Sequence, residues 1–185
     1  FRLDPNIPFL YGLIFHLKNV LGEWNDYYPE LLNVKTKLQT ITQAFAPFST
    51  LSLLDSPKDQ LKVNREFISI EYPPENTLPP IPKHNNSKIK VAYFSADFKD
   101  HPVSYLTAEL FELHNRNLFE TYAFSLKPSQ SSPIRDRLIA GFDHFIEVNN
   151  KTDIEIAELA RSLKIDIAVD LGGHTQDART GVFAY

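Results

Sequence analysis

Two short stretches of this chain hold side chains of the kinds that move protons or bind anions. The first is Ser95-Ala96-Asp97-Phe98-Lys99-Asp100-His101-Pro102-Val103-Ser104, with two carboxylates and a histidine side by side. The second runs from Asp170 through Gly172-Gly173-His174-Thr175 to Arg179. Histidine exchanges a proton near neutral pH. A loop that leads into a helix amino terminus favours an anion. Together the two stretches suit a phosphorylated or sugar-phosphate donor. The same residues also fit a plainer part, in which Asp97 and Asp100 cap the following helix and both histidines lie on the surface.

The flanking sequence says what must position these loops. Ile89 to Ser95 is an apolar run that reads as a buried strand. Val103 to His114 reads as a helix whose apolar face is Val103, Leu106, Leu110, Phe111 and Leu113. Thr121 to Leu126 is a second strand. Ser132-Pro133 then caps a short helix through Ile134, Leu138 and Ile139, ended by Gly141. His144 to Val148 is a third strand, and Thr152-Asp153-Ile154-Glu155 is a capping box that opens a helix with Ile156, Leu159, Ala160 and Leu163. Ile165 to Leu171 is the fourth strand. Strands alternating with helices predict an α/β fold, a Rossmann-like parallel sheet with right-handed crossovers. Both polar stretches then sit at carboxyl ends of strands, where open α/β sheets place their ligands. The order of the strands is not readable.

Residues 1–72 read differently. Asp4-Pro5 is a helix start, followed by an apolar stripe at Ile7, Leu10, Tyr11, Ile14, Leu17 and Leu21. A second helix is expected from near Asn25, with Tyr28, Leu31, Leu38, Ile41 and Phe45 on one side and Pro47 as its stop. Ser56-Pro57 starts a third, faced by Leu61, Phe67 and Ile68. Trp24 reads as a packing anchor between helices and Tyr27-Tyr28 as a helix–helix contact. Residues 73–87, with Pro73, Pro74, Pro79, Pro80 and Pro82, read as an extended linker. The expected organisation is a small all-α segment over 1–72, the linker, and an α/β lobe over 88–185.

Several function classes lose ground on composition and motif. The formal charge of −4 argues against an electrostatic nucleic-acid binder. With no cysteine there is no disulfide and no thiolate metal site. The six histidines, His16, His84, His101, His114, His144 and His174, show no i, i+4 pairing, so no metal is expected. No G-x-G-x-x-G follows the first strand and no P-loop occurs, which disfavours a dinucleotide cofactor and excludes a Walker-type nucleotide site. Arg135, Arg137 and Arg161 read as solvated helix faces. Neither a membrane span of roughly 18 apolar residues nor a secretory signal is visible, so a cytoplasmic protein without a membrane partner is expected. The chain starts at Phe1 and closes on Phe183-Ala184-Tyr185 in mid-pattern, which reads as a fragment of something longer.

Several blocks, in order, carry a resemblance. Lys90 to Phe98, His101-Pro102-Val103-Ser104, Leu110 to His114, Phe119 to Ser125, Ile165 to Thr175, Ala178-Arg179 and Val182-Phe183-Ala184 resemble the catalytic region of O-linked N-acetylglucosamine transferases, including SPINDLY-like and bacterial tetratricopeptide-containing members. Asp4-Pro5, Trp24, Pro47-Phe48 and Asp55-Ser56-Pro57 are similar to the segment that joins tetratricopeptide repeats to the enzyme in bacterial members. The resemblance implies the amino-terminal lobe of a two-lobed GT-B glycosyltransferase. Such an enzyme moves N-acetylglucosamine from UDP-N-acetylglucosamine to Ser or Thr hydroxyls of proteins, with inversion and without a cofactor or catalytic metal. It implies His101 as a base or as a group organising acceptor and sugar. It implies Asp97, Pro102, Asp170 and Thr175 as substrate-binding positions, with His174 standing where many members carry tyrosine. The second lobe, expected to hold most uridine and diphosphate contacts, is not in these 185 residues, so the fragment alone is expected to be inactive. The competing reading is a protein-binding scaffold with a degenerate transferase lobe.

Overall fold

The alternating strands and helices after Lys88 build one parallel sheet. In the computed structural model, which describes residues 7–40 and 43–185, the strands are β1 (Ile89–Ser95), β2 (Phe119–Ser125), β3 (His144–Glu147) and β4 (Ile167–Asp170). Their order is β3-β2-β1-β4, all neighbours parallel. Chain direction across the sheet therefore reverses at β1: β2 and β3 extend to one side and β4 returns to the other.

Helices cover both faces, because alternate residues of the central strands are apolar on both. Val91 and Tyr93 point to one face, with Phe98, Ala123 and Phe142. That face is covered by α5 (Pro102–Glu112) and α6 (Pro133–Gly141) through Ala108, Phe111, Ile134 and Leu138. Ala92 and Phe94 point to the other, with Tyr122 and Phe124, under α7 (Asp153–Ser162) and a 3-10 turn at Thr180–Ala184. Phe94 stacks on Phe124 with ring centroids 4.5 Å apart. Capping follows the sequence: Ser132 accepts from the Arg135 N–H, and Thr152 and Glu155 close a reciprocal capping box.

Helix α5 corrects the periodicity reading. Its inward residues are Ser104, Ala108 and Phe111, whereas Leu106 is 82 % exposed and Leu110 and Leu113 also face outward. Small residues let the helix lie close on the sheet, and Phe111 alone fills the space that several leucines would need. The chain separates into two compact units, one ending at Pro73 and one running Pro74–Tyr185. In the second, the proline-rich stretch after Pro74 lacks regular structure but is tied down. The Glu75 N–H donates to the Ala184 carbonyl (2.8 Å), Leu78 packs on the core, and Asn86 Nδ2 donates to Asp166 Oδ2 (2.8 Å). His84 Nε2 lies 3.3 Å from Asp166 Oδ1. Arg161, expected in solvent, instead donates to the carbonyls of Pro79 and Tyr185.

The helical unit comprises α1 (Leu10–Leu21), α2 (Tyr27–Thr40), α3 (Pro47–Thr50) and α4 (Pro57–Glu71). Asp4-Pro5 and Ile41 lie outside the described residues. The apolar stripe expected to bury α1 faces largely outward at Ile7, Ile14, Leu17 and Leu21, and Gly12 and Phe15 are the buried positions. Gly12 marks a close approach: a Cβ there would lie 2.7 Å from a Phe45 ring carbon, and its N–H donates to the Ala44 carbonyl at 2.9 Å. Pro47 begins a short helix rather than only ending one, consistent with the tolerance of proline for a first turn. Val34 and Leu38 bury α2 and Val63 buries α4, whereas Leu61 and Tyr28 are exposed.

Candidate functional site

The first polar loop follows β1. The Ser95 hydroxyl accepts from the Asp97 N–H (2.9 Å), and the Ser104 hydroxyl, fully buried at the start of α5, donates to the Asp97 carbonyl (2.6 Å). These bonds fold the loop back on itself and turn the Asp97 carboxylate toward Lys99 Nζ (3.3 Å) and His101 Nδ1 (3.8 Å). Asp97 is mostly covered, and the His101 side chain is 36 % exposed. Neither Asp97 nor Asp100 caps α5. His101 does so itself, its Nδ1 accepting the Val103 N–H at 3.3 Å, with Pro102 exposed in the first turn behind it. That bond fixes the neutral tautomer: Nδ1 is an acceptor, so the proton sits on Nε2. The imidazole therefore presents an N–H donor outward.

The second polar loop follows β4 and is built the opposite way. Asp170 Oδ1 accepts from the N–H groups of Gly172 (2.8 Å) and Gly173 (3.1 Å), an Asx turn that spends the carboxylate on its own loop. The Thr175 hydroxyl donates to the Gly172 carbonyl (2.7 Å) and Thr180 Oγ1 to the Gly173 carbonyl (2.8 Å). Gly173 has φ of +56°, which favours glycine, and a Cβ at Gly172 would crowd Ala178 Cβ at 3.1 Å. Burial pushes the His174 imidazole below its ordinary pKa, with the Asp170 carboxylate pulling weakly the other way. His174 is thus neutral at neutral pH.

The sheet brings the two loops to neighbouring strand ends. Phe94 pairs with Asp170 in register, and the Leu171 N–H donates to the Phe94 carbonyl at 3.0 Å. Because β1 is where strand order reverses, the β1 and β4 carboxyl ends flank the topological switch point, the position at which open α/β sheets bind ligands. The second loop also travels across the carboxyl edge of the sheet. Asp177 pairs with Lys127 beyond β2 (2.9 Å), and Arg179 donates to the Lys151 carbonyl (2.8 Å) and pairs with Asp153 at the start of α7. Within the first loop the structure joins Asp97 to His101. Asp170, His174 and Thr175 form a separate group, linked to it through backbone.

One residue that the sequence reading placed in solvent belongs to this site. Arg135 is 4 % exposed; its guanidinium donates to the Phe98 carbonyl inside the first loop and to Glu147, and lies over the Phe145 ring at 5.1 Å. It anchors the loop that carries Asp97 and His101. The signal was present: Arg135 lies on the helical stripe of Ile134, Leu138 and Gly141, all buried. Arg137, by contrast, is exposed and clasps Glu112 at 2.7 and 2.8 Å. Among the described residues no group of three or more His, Asp or Glu side chains is placed to hold a metal ion.

A parallel α/β lobe with two polar loops at its switch point is the class that fold and site define. The chain belongs to glycosyl transferase family 41, which it matches over residues 64–185. It is 32 % identical over 97 residues to a plant protein, "Probable UDP-N-acetylglucosamine--peptide N-acetylglucosaminyltransferase SEC" of Arabidopsis thaliana, covering 52 % of this chain and 10 % of that protein. It is 27 % identical over 101 residues to the UDP-N-acetylglucosamine–peptide N-acetylglucosaminyltransferase of Caenorhabditis elegans, covering 54 % and 9 %. A solved O-GlcNAc transferase mutant from Thermobaculum terrenum superposes with a TM-score of 0.66 at 26 % identity, over 94 % of this chain and 35 % of that one. The chain thus spans about a tenth of the curated relatives it matches.

Proposed function

We propose that this chain supplies the amino-terminal lobe, with helices of a tetratricopeptide-linking kind before it, of an inverting transferase. That enzyme moves N-acetylglucosamine from UDP-N-acetylglucosamine to Ser or Thr hydroxyls of proteins, in the cytoplasm and without a metal. The observation that carries the reading is the pairing of the Asp97–His101 loop with the Asp170–Thr175 loop at the switch point of the sheet, inside the segment matched by the family. In the reaction the acceptor oxygen bonds to the anomeric carbon as the bond from that carbon to the diphosphate oxygen breaks, the hydroxyl proton passes to the departing diphosphate or to water, and UDP departs.

The tautomer of His101 favours one of its two expected roles. With Nδ1 occupied by the Val103 N–H, Nε2 offers a proton rather than a lone pair, so His101 orients a sugar, phosphate or acceptor oxygen as a donor. The Val103 N–H holds the ring at Nδ1, with the Asp97 carboxylate 3.8 Å away on the same side. Asp170 and Thr175 act through the shape of their loop. Charge that develops on the diphosphate needs cations beyond Lys99, which faces Asp97, and Arg179, which faces Asp153, and a second lobe is their proposed source.

The test has two arms. The full-length protein that contains this chain, given UDP-N-acetylglucosamine and a Ser/Thr peptide, is expected to release UDP and glycosylate the peptide, read by mass spectrometry. Calorimetric titration of UDP into the 185-residue chain alone is expected to show no micromolar binding. A full-length protein that binds the donor yet modifies no hydroxyl would favour the scaffold reading instead.

A further inference from the structure

The turn between α1 and α2 holds a cavity of about 430 Å³ lined by Asn19, Trp24, Tyr27, Tyr28 and Ser52. Its walls are mostly aromatic. The Trp24 indole is fixed by its own N–H, which donates to the Asn19 carbonyl at 3.3 Å, yet 65 % of the residue is exposed. This is the opposite of the packing anchor that sequence suggests. Tyr27 stacks on the buried Phe15 and meets Tyr28 edge-on at 5.6 Å, so Tyr27 is rooted in the core while Tyr28 stands in solvent. Large aromatic faces held open in this way attract cations through the ring quadrupole.

Two further observations point to the same ligand chemistry. Asn19 Oδ1 is buried and accepts no hydrogen bond; among the described residues only His16 Nδ1 shares that condition as a buried side-chain polar atom. A buried acceptor without a partner is costly, and a turn of the Asn19 side chain, which also lines the cavity, would bring Oδ1 to a donor there and relieve it. Beside the aromatic cavity lies a polar concavity of about 300 Å³ lined by Lys18, Glu23, Asn25, Asp26 and Glu30. Its three carboxylates face one ammonium, already bridged to Glu30 at 2.5 Å. Their field is felt at Lys18, whose pKa is raised chiefly by the Glu30 hydrogen bond, against the opposing effect of desolvation, with the charges of Glu30, Asp26 and Glu23 adding to the rise.

We propose that the Trp24–Tyr28 cavity binds an arginine side chain presented by a protein or peptide partner, the guanidinium stacking on the aromatic walls and donating to Asn19 Oδ1. A flat cation with several N–H donors answers the three features at once: π faces, an orphaned acceptor and surplus negative charge. Arginine fits better than lysine because its plane can stack while its edge still donates. The cavity has room for a guanidinium and its methylene stem, being within the size range of small-ligand sites. The site is in the helical unit and does not depend on the transferase reading.

The chain has one tryptophan, so its emission reports on this cavity alone. Titration of the 185-residue chain with N-acetylarginine amide is expected to change Trp24 emission saturably. N-acetylcitrulline amide, uncharged and of nearly the same shape, should bind at least about tenfold more weakly, the loss of the cation–π and charge contributions. Tyr28→Ala, at an exposed position that leaves the fold intact by circular dichroism, should weaken the arginine response about fivefold, and Asn19→Leu should weaken it as well. An unsaturable response, equal binding of citrulline, or undiminished binding in both variants would overturn the proposal.

Discussion

The loops after β1 and β4 share a sheet edge but divide their labour. In the first, the Ser95 and Ser104 hydroxyls bond the Asp97 backbone and shape the chain, which leaves the Asp97 carboxylate to face Lys99 and His101 and the outer edge of His101 open to solvent. In the second, the Asp170 carboxylate and the Thr175 hydroxyl are themselves spent on the loop's own backbone, bonding the Gly172 and Gly173 N–H groups and the Gly172 carbonyl. Each loop is also fastened by one arginine. Arg135 fastens the first from inside the core, and Arg179 fastens the second from the rim. Polar residue types at strand ends therefore do not all serve the ligand; their hydrogen bonds decide which ones are free to.

That contrast can be broken in graded ways. If the proposed transferase is assembled around this chain, His101→Ala should lower its transfer at least about a hundredfold, the usual scale for losing a positioned proton donor. Thr175→Val, which removes only a shaping bond, should lower it less than about tenfold by comparison. Arg135→Met should cost about 2–4 kcal/mol in urea unfolding, because it strands the buried Phe98 carbonyl and removes the partner of Glu147. Arg179→Met, at the more open rim, should cost only about 1 kcal/mol in the same experiment. If the two arginine variants lose equal stability, the loops are not fastened differently.

The smallest effect concerns pH. Burial holds His174 below its ordinary value in the folded chain. As pH falls the unfolded chain takes up that proton first, so the contribution of the neutral ring, whole above about pH 6.5, drains away below it. His174→Gln should flatten the fall in urea midpoint between about pH 7 and pH 5. His114, also lowered by burial and bonded to the Tyr93 hydroxyl at 2.7 Å, should behave in the same direction. A steeper fall in either variant would contradict the assignment.

Much of the lobe was legible from residue type. Apolar β-forming runs marked β1 and β2, and Ser132-Pro133 and Thr152–Glu155 marked helix starts through bonds that need only local sequence. Strand order was not legible, because it depends on which edges meet after three crossovers. Helix faces misled where exposed leucines imitate a core stripe: Leu106, Leu110 and Leu113 on α5, and Ile14, Leu17 and Leu21 on α1. In both helices close packing is achieved by small residues, Ala108 and Gly12, that carry little hydrophobic signal. At the candidate site, position alone left His101 as readily a surface residue as a catalytic one, its expected role came from the family resemblance, and its part as the cap of α5 needed the folded structure. Arg135 was missed because a charge on a helix was read apart from its neighbours.

The central claim is that His101 acts through the Nε2 proton and not merely as the cap of α5. His101→Asn separates the two, since asparagine is a good N-cap but has no ring nitrogen to reach the substrate. Steady-state transfer to peptide by the full-length His101→Asn enzyme, with its unfolding midpoint measured alongside, is the most direct test. The account expects unchanged stability and kcat reduced at least about a hundredfold. Transfer within about twofold of the parent would show that His101 only caps a helix, and would contradict it.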